Sequence, residues 1–344
     1  MKKAFYADDI KIALIGGGTG SFTLLSELKN RTEAIAALVN MADDGGSTGV
    51  LRDELGALPP GDIRQCLVAL SDSPELRELF NYRFDEGSLK GHAFGNLFLS
   101  ALEKMTGDFV RGIEVASQVL NITGVVEPIT LTDVTLVAKG KDGSETHGQY
   151  EIAHLEISGR DTEYSLDPAA EANPSAVKAI MRADIVLIAP GNLYGTLAPA
   201  LLVDGIGRAL AETRALKLYI ANLVTKPGQT DGYTVTDFAD ELERLAGVEF
   251  LDAVIYNTEQ PSEKLLKRYA ADGELAVEYD QAKADSARYD VIGAPLLSRQ
   301  VWVNKNKADP IADKRTYIRH DPMASADAIM RYYDYRSRPD QGRG

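Results

Sequence analysis

Apolar residues recur along this chain in two interleaved patterns. Short unbroken runs at 12–15, 35–39, 185–189, 218–221 and 253–256 each stop at a glycine, asparagine or proline, and 291–297 reads as one more strand. Between the runs, apolar residues repeat every three or four positions, as in Phe22, Leu24, Leu25 and Leu28, or Ile63, Cys66, Leu67 and Leu70. The same spacing predicts helices at about 75–83, 94–105, 108–120, 201–210, 235–246, 263–269 and 323–333, and another around Ala176, Ile180 and Met181. Continuous strands between amphipathic helices predict an α/β fold whose mostly parallel sheet is covered on both faces. The unit 12–39 reads as a right-handed strand–helix–strand crossover. From about 123 to 166 the pattern changes. Val125, Ile129, Leu131, Val134, Leu136 and Val137 sit among threonines, Lys139-Gly140-Lys141-Asp142-Gly143-Ser144 reads as a hairpin turn, and Tyr150, Ile152, Leu155 and Ile157 follow. This predicts a small β insertion at 123–170, a subdomain or dimerisation ribbon, splitting one α/β domain into 1–122 and 171–335. The tail 336–344 reads as disordered.

Composition narrows the class without naming a function. The 344 residues are 44% hydrophobic and 26% charged, ordinary values for a soluble globular chain with a sizeable core. A formal net charge of −14 repels polyanions and argues against a nucleic-acid or anionic-membrane binder. A small anion is still admitted where backbone donors converge. The single cysteine, Cys66, cannot form an internal disulfide, which fits a reducing cytoplasm. The start, Met1-Lys2-Lys3-Ala4-Phe5-Tyr6, has a basic pair with no apolar stretch behind it and does not read as a signal peptide. No run approaches the ~20 residues a bilayer span needs. The reading is a cytoplasmic protein.

The first run ends at Gly16-Gly17-Gly18-Thr19-Gly20-Ser21, and a helix follows at once. This order aims several N–H groups at one point on the positive end of a helix dipole, a natural seat for a phosphate or diphosphate. The dinucleotide fingerprint fails because Ser21 stands where glycine or alanine is required, and no Lys-Ser/Thr completes a Walker A loop. The second run ends in Asp43-Asp44-Gly45-Gly46-Ser47-Thr48-Gly49. Adjacent carboxylates point opposite ways, so one of Asp43 and Asp44 is expected in the cleft, meeting a ribose hydroxyl or a magnesium ion beside a diphosphate. The other reading of the pair is turn residues that shape the loop. Asp62, after Pro59-Pro60-Gly61, reads as a helix N-cap. His92 and Asn96 share one helix face, with Asn96 either meeting a ligand or bridging helices. Gly191 and Asn192 follow the third run, and Asn222 and Lys226 the fourth, so all should reach the same sheet edge. No Ser/His/Asp or Cys/His arrangement points to a nucleophile, and no acid–base histidine supports a nicotinamide oxidoreductase.

Six motifs in order, Gly16-Gly-Gly-Thr-Gly20, Ala42-Asp-Asp-Gly-Gly-Ser-Thr-Gly49, Leu58-Pro-Pro-Gly-Asp-Ile-Arg64, Gly91-His-Ala-Phe-Gly-Asn-Leu-Phe98, Ala189-Pro-Gly-Asn-Leu-Tyr194 and 222–232, resemble the YvcK-like family of gluconeogenesis factors. That family belongs to the superfamily of CofD, the 2-phospho-L-lactate transferase. The likeness runs from about 11 to about 330. It implies a Rossmann-like three-layer α/β/α core, a UDP-sugar ligand such as UDP-N-acetylglucosamine, and a cytoplasmic regulatory role in cell shape and cell-wall precursor supply. An enzyme of amino-sugar metabolism and a second copy of the chain are the partners that reading suggests. On it, the amides of Gly17, Gly18, Thr19, Gly20 and Ser21 take the diphosphate, Asp43 or Asp44 meets ribose or Mg2+ (Asp44 as metal ligand), and Asn96, Gly191, Asn192, Asn222 and Lys226 line the rest. The alternative is a CofD-like transferase using a nucleotide diphosphate and magnesium. The chain departs from the family pattern at Ser47-Thr48 and at Asn192, where a larger amide replaces serine.

Overall fold

The computed structural model describes residues 10–156, 158–299 and 318–337. The first nine residues, Ile157 and the tail 338–344 lie outside the described residues. Strands β1 (Ile12–Gly16), β2 (Ile35–Val39), β3 (Val125–Pro128), β4 (Thr135–Lys139), β5 (Glu145–His147), β6 (Glu163–Asp167), β7 (Ile185–Ile188), β8 (Leu216–Ile220), β9 (Ala253–Asn257) and β10 (Asp290–Ala294) form two sheets. The main sheet has the order β10-β9-β8-β7-β1-β2-β3, and all its pairs are parallel. The small sheet, β5-β4-β6, is antiparallel.

Each inner strand is apolar throughout because it feeds two cores at once. Ile12 and Leu14 of β1 face a layer built by helices α1 (Gly18–Leu28), α3 (Pro60–Leu70), α5 (Phe94–Thr106) and α6 (Phe109–Leu120), together with Ile329 and Met330 of the last helix. Ala13 and Ile15 face the opposite layer, which contains Ile180, Ile206, Leu242 and the inner side of the small sheet through Leu136 and Ala138. Two further helices, α2 (Gly46–Leu55) and α4 (Pro74–Asn81), lie along the first layer. The architecture is a three-layer, Rossmann-like α/β fold.

Four boundaries differ from the sequence reading. β3 pairs with β2 as the edge strand of the main sheet rather than opening the insertion. Tyr150 and Ile152 sit on a single helical turn, Gln149–Ile152, instead of a strand. The helix expected at 201–210 is divided, running as Ala198–Leu201 and Ile206–Glu212 after a π-helical turn at Leu193–Leu197. The last helix continues to Ser337, past the point where the disordered tail was expected to begin.

The insertion lies firmly on the sheet's carboxyl edge. Tyr164 of β6 stacks on Tyr194, with ring centroids 4.6 Å apart and planes 10° from parallel. The Gln229 side-chain amide donates to the Ile152 carbonyl at 2.7 Å. Asp44 supplies the third tie, its two oxygens accepting the N–H groups of Gln149 (2.9 Å) and Tyr150 (2.7 Å) at the positive end of the short turn. Asp44→Ala leaves both donors unpaired and is expected to cost about 1–3 kcal/mol. Hydrogen exchange should then rise at 148–153 while β1 amides stay protected; equal protection in both proteins would contradict the tie.

Candidate functional site

From β1 the chain builds outward in one direction through β2 and β3, and later in the other through β7, β8, β9 and β10. The switch between the two directions falls between β1 and β7, where loops diverge at the strands' carboxyl ends and leave a crevice. The glycine turn and the Ala189–Gly191 segment therefore flank this point. Gly18 begins α1 with φ +60°, a conformation a side chain would strain. At Gly20 the constraint is contact rather than conformation, since a Cβ there would fall 1.7 Å from the Pro190 carbonyl oxygen. Thr19 is exposed and Gly18 half-buried, so this amide cluster faces outward. Ser21 contributes no side chain to it. Its hydroxyl is fully buried behind Gly16 and finds no hydrogen-bond partner among the described residues.

Four helix starts, those of α1, α2, α3 and α5, are stitched together beside the crevice. Asp62 does not cap its own helix, whose N-cap is Pro59. Its carboxylate reaches across to the first turn of α1 and accepts the Gly18 N–H at 2.9 Å. Asp43 turns toward the same place: it accepts the Gly45 N–H at 3.2 Å and the Thr48 hydroxyl, and its Oδ2 lies against Gly61. Burial, with the charge of Asp43 added, pushes the Asp62 carboxyl up to about 7, against the pull of the Gly18 N–H and Arg64. Burial and the neighbouring Asp44 also raise Asp43, opposed by its hydrogen bonds to Gly45 and Thr48 and by Arg52. The adjacent carboxylates do diverge as expected, but Asp44 is the one that turns to the insertion, leaving Asp43 with Asp62 at the glycine turn.

The remaining expected residues serve the walls. Asn96 is buried, accepting from Arg64 Nε at 2.8 Å and donating to Ser47 Oγ at 3.2 Å, so it bridges α2, α3 and α5. Asn222 brackets Gly191, donating to its carbonyl at 2.8 Å and accepting its N–H at 3.3 Å, which locks the loops after β7 and β8 together. Asn192 accepts the Gly195 N–H at 3.1 Å and starts the π-helical turn, a device often found at functional sites. Lys226 lies where its charge opposes the burial-driven rise of Glu274. Cys66 is buried in α3 with its thiol pushed up by burial, so it is no nucleophile. The residue that sequence reasoning misplaced is Asp62. Its Pro-Pro-Gly lead-in signals a helix start, but no local spacing reports a bond across 44 positions.

The arrangement offers outward amides at a helix start, two carboxyls that share negative charge uncomfortably, and rigid walls. It suits an anion, or an anion with a divalent cation. Among the described residues no group of three or more metal-ligating side chains occurs, so a cation would need the anion's own oxygens. None of the described helices is long and apolar enough to cross a membrane.

Comparison with known proteins places the chain in a family. Residues 12–297 match the family model described as 2-phospho-L-lactate transferase CofD. The Gluconeogenesis factor of Bacillus subtilis is 39% identical over 323 residues, covering 93% of this chain and 97% of that protein. A Thermotoga maritima relative is 41% identical over 324 residues, covering 94% and 99%. The crystal structure of a upf0052-family protein from Bacillus halodurans superposes with a TM-score of 0.85 at 34% identity, covering 94% of this chain and all of the other. The chain belongs to the CofD family, within the group of its relatives named gluconeogenesis factors.

Proposed function

We propose that this protein binds a nucleotide diphosphate sugar of the UDP-N-acetylglucosamine type and acts in the cytoplasm as a regulator of cell shape and cell-wall precursor supply during gluconeogenic growth. One observation carries the reading. At the strand-order switch, the glycine turn opens α1 beside the crevice, and its first amide, Gly18 N–H, already bonds a carboxyl oxygen, that of Asp62, at 2.9 Å. The relatives' name, gluconeogenesis factor, supports the gluconeogenic setting alone. Gly17 to Ser21 would supply amides to the diphosphate, and the loops at Gly191, Asn192, Asn222 and Lys226 would border the sugar. Calorimetry against UDP-N-acetylglucosamine, GDP and NAD tests it. We expect the uridine ligand to bind most tightly, well below a dissociation constant of about 1 mM, or about −4 kcal/mol. Binding weaker than that would overturn the proposal.

The Asp43–Asp62 pair favours a second reading, a CofD-like transfer of a phospho-organic acid. Two carboxylates plus diphosphate oxygens and water match the donor set magnesium takes, and the ion would neutralise diphosphate charge. On this reading Asp43 and Asp62, rather than Asp44, would hold it. Asp43→Asn should then abolish Mg2+-dependent turnover of a nucleotide-activated phospho-acid, followed by phosphorus NMR. Turnover that survives the change would exclude the metal role.

A further inference from the structure

Beside the acid pair runs a hydrogen-bond chain whose direction is fixed at one end. Arg64 can only donate, so its Nε–H at 2.8 Å requires the Asn96 oxygen to face it. The Asn96 NH2 must then face Ser47 and donate to its Oγ at 3.2 Å. Ser47 is buried, and its only other side-chain hydrogen bond among the described residues is with His92 Nδ1 at 3.0 Å. Were that nitrogen protonated as well, the buried serine hydrogen would be left without an acceptor, a cost of about one full desolvation penalty. Ser47 therefore donates, and the proton of the neutral His92 ring sits on Nε2. Asn81 secures the far end, accepting from Arg64 Nη1 at 2.5 Å.

We infer that His92 is a positioning residue for the ligand, presenting its Nε2–H as a preset donor to an anionic oxygen of the bound diphosphate. Three features carry this. His92 is half-buried at the entrance to α5, so the residue is not sealed in the core. No described group accepts from Nε2. Ser47 is followed by Thr48, whose hydroxyl holds Asp43, so the chain abuts the acid pair. A run of donors all pointing one way strengthens its last member, and here the last member is the His92 ring. The inference deepens the nucleotide-sugar reading and rests on it for the identity of the ligand, though not for the state of the ring.

Nitrogen-15 histidine NMR of the full chain decides the ring state, and with only four histidines the His92→Gln spectrum assigns the signal. Protonation on Nε2 is expected, relaxing to a mixture in Ser47→Ala. Protonation on Nδ1 in the wild type would overturn the inference. Calorimetry with UDP-N-acetylglucosamine supplies the second arm. His92→Phe should weaken binding about tenfold to a hundredfold, and His92→Gln, whose amide nitrogen replaces Nε2, should recover most of the loss. Unchanged affinity in His92→Phe would sink the positioning role and leave the nucleotide-sugar reading standing. If the wild type binds no nucleotide sugar, that reading falls, and titration with inorganic diphosphate decides for His92: an Nε2 signal that moves supports the donor role, and one that does not refutes it.

Discussion

Asp62→Asn is expected to make the protein more stable at pH 8 and poorer at holding a nucleotide diphosphate. The folded carboxyl titrates near 7, above its unfolded value, because burial and Asp43 disfavour its charge. Between about pH 4 and 7 the folded chain keeps a proton that the unfolded chain has already released. This group's contribution to stability is thus greatest at acid pH, falls as pH rises through that window, and is flat beyond it. Asparagine cannot ionise, and its oxygen still accepts the Gly18 N–H. The variant should gain roughly 2–4 kcal/mol over the wild type at pH 8, with the gain vanishing near pH 4. Urea denaturation across that range measures it, and a pH-independent difference would contradict the assignment. Mg2+-dependent nucleotide binding should fall at least tenfold in the same variant, since a stabilising change at a strained site is expected to cost function.

Gly20→Ala should be far more damaging than Gly18→Ala, the reverse of what helix propensity or backbone conformation alone would suggest. Gly20 lies inside α1, where alanine is ordinarily favoured by about 1 kcal/mol. Its added methyl would meet the Pro190 carbonyl oxygen at 1.7 Å, and a backbone atom cannot swing aside as a flexible side chain can. Relief requires α1 to lift from the loop after β7, opening the crevice and both apolar layers beside it. A loss of more than about 3 kcal/mol is expected, enough to unfold much of the protein at 37 °C. Gly18→Ala adds a methyl with only Asp62 Oδ1 near, at 3.8 Å, and pays only the left-handed backbone cost of about 1–2 kcal/mol. Equal melting temperatures for the two variants would show that the contact at Pro190 is not made.

Legibility in the sequence tracks how local each feature is. β1, β2, β7, β8 and β9 were readable because strands buried on both faces leave unbroken apolar runs, and α1, α5, α6 and Val235–Ala246 because their apolar faces repeat in register. α2 was hidden. Three glycines in Gly45-Gly46-Ser47-Thr48-Gly49 look like loop, and Leu51 is its one buried apolar side chain. β3 reads as part of the insertion because a four-residue edge strand carries little pattern, and only its pairing with β2 defines it. At the site, the glycine turn was legible as an amide cradle because strand, turn and helix are consecutive. The partners were not. Asp62 meeting Gly18, Asp44 meeting Gln149, and the Arg64-to-His92 relay all join segments dozens of residues apart, through distances that no spacing rule encodes.

The central place of β1 also sets a schedule for biosynthesis. Its second neighbour, β7, pairs Ile185 with Ile12, so the strand made first waits 173 positions for half of its partners. At roughly 5–20 residues per second on the ribosome, that interval is about ten to thirty seconds. Throughout it, one flank of the nascent sheet, with Ile12, Leu14 and Ile15 at its rim, has unpaired backbone and nothing of its own chain to cover it. A ribosome-associated chaperone holding that flank would serve this protein more than any helper acting after release, and chains stalled near residue 170 should be the ones that aggregate.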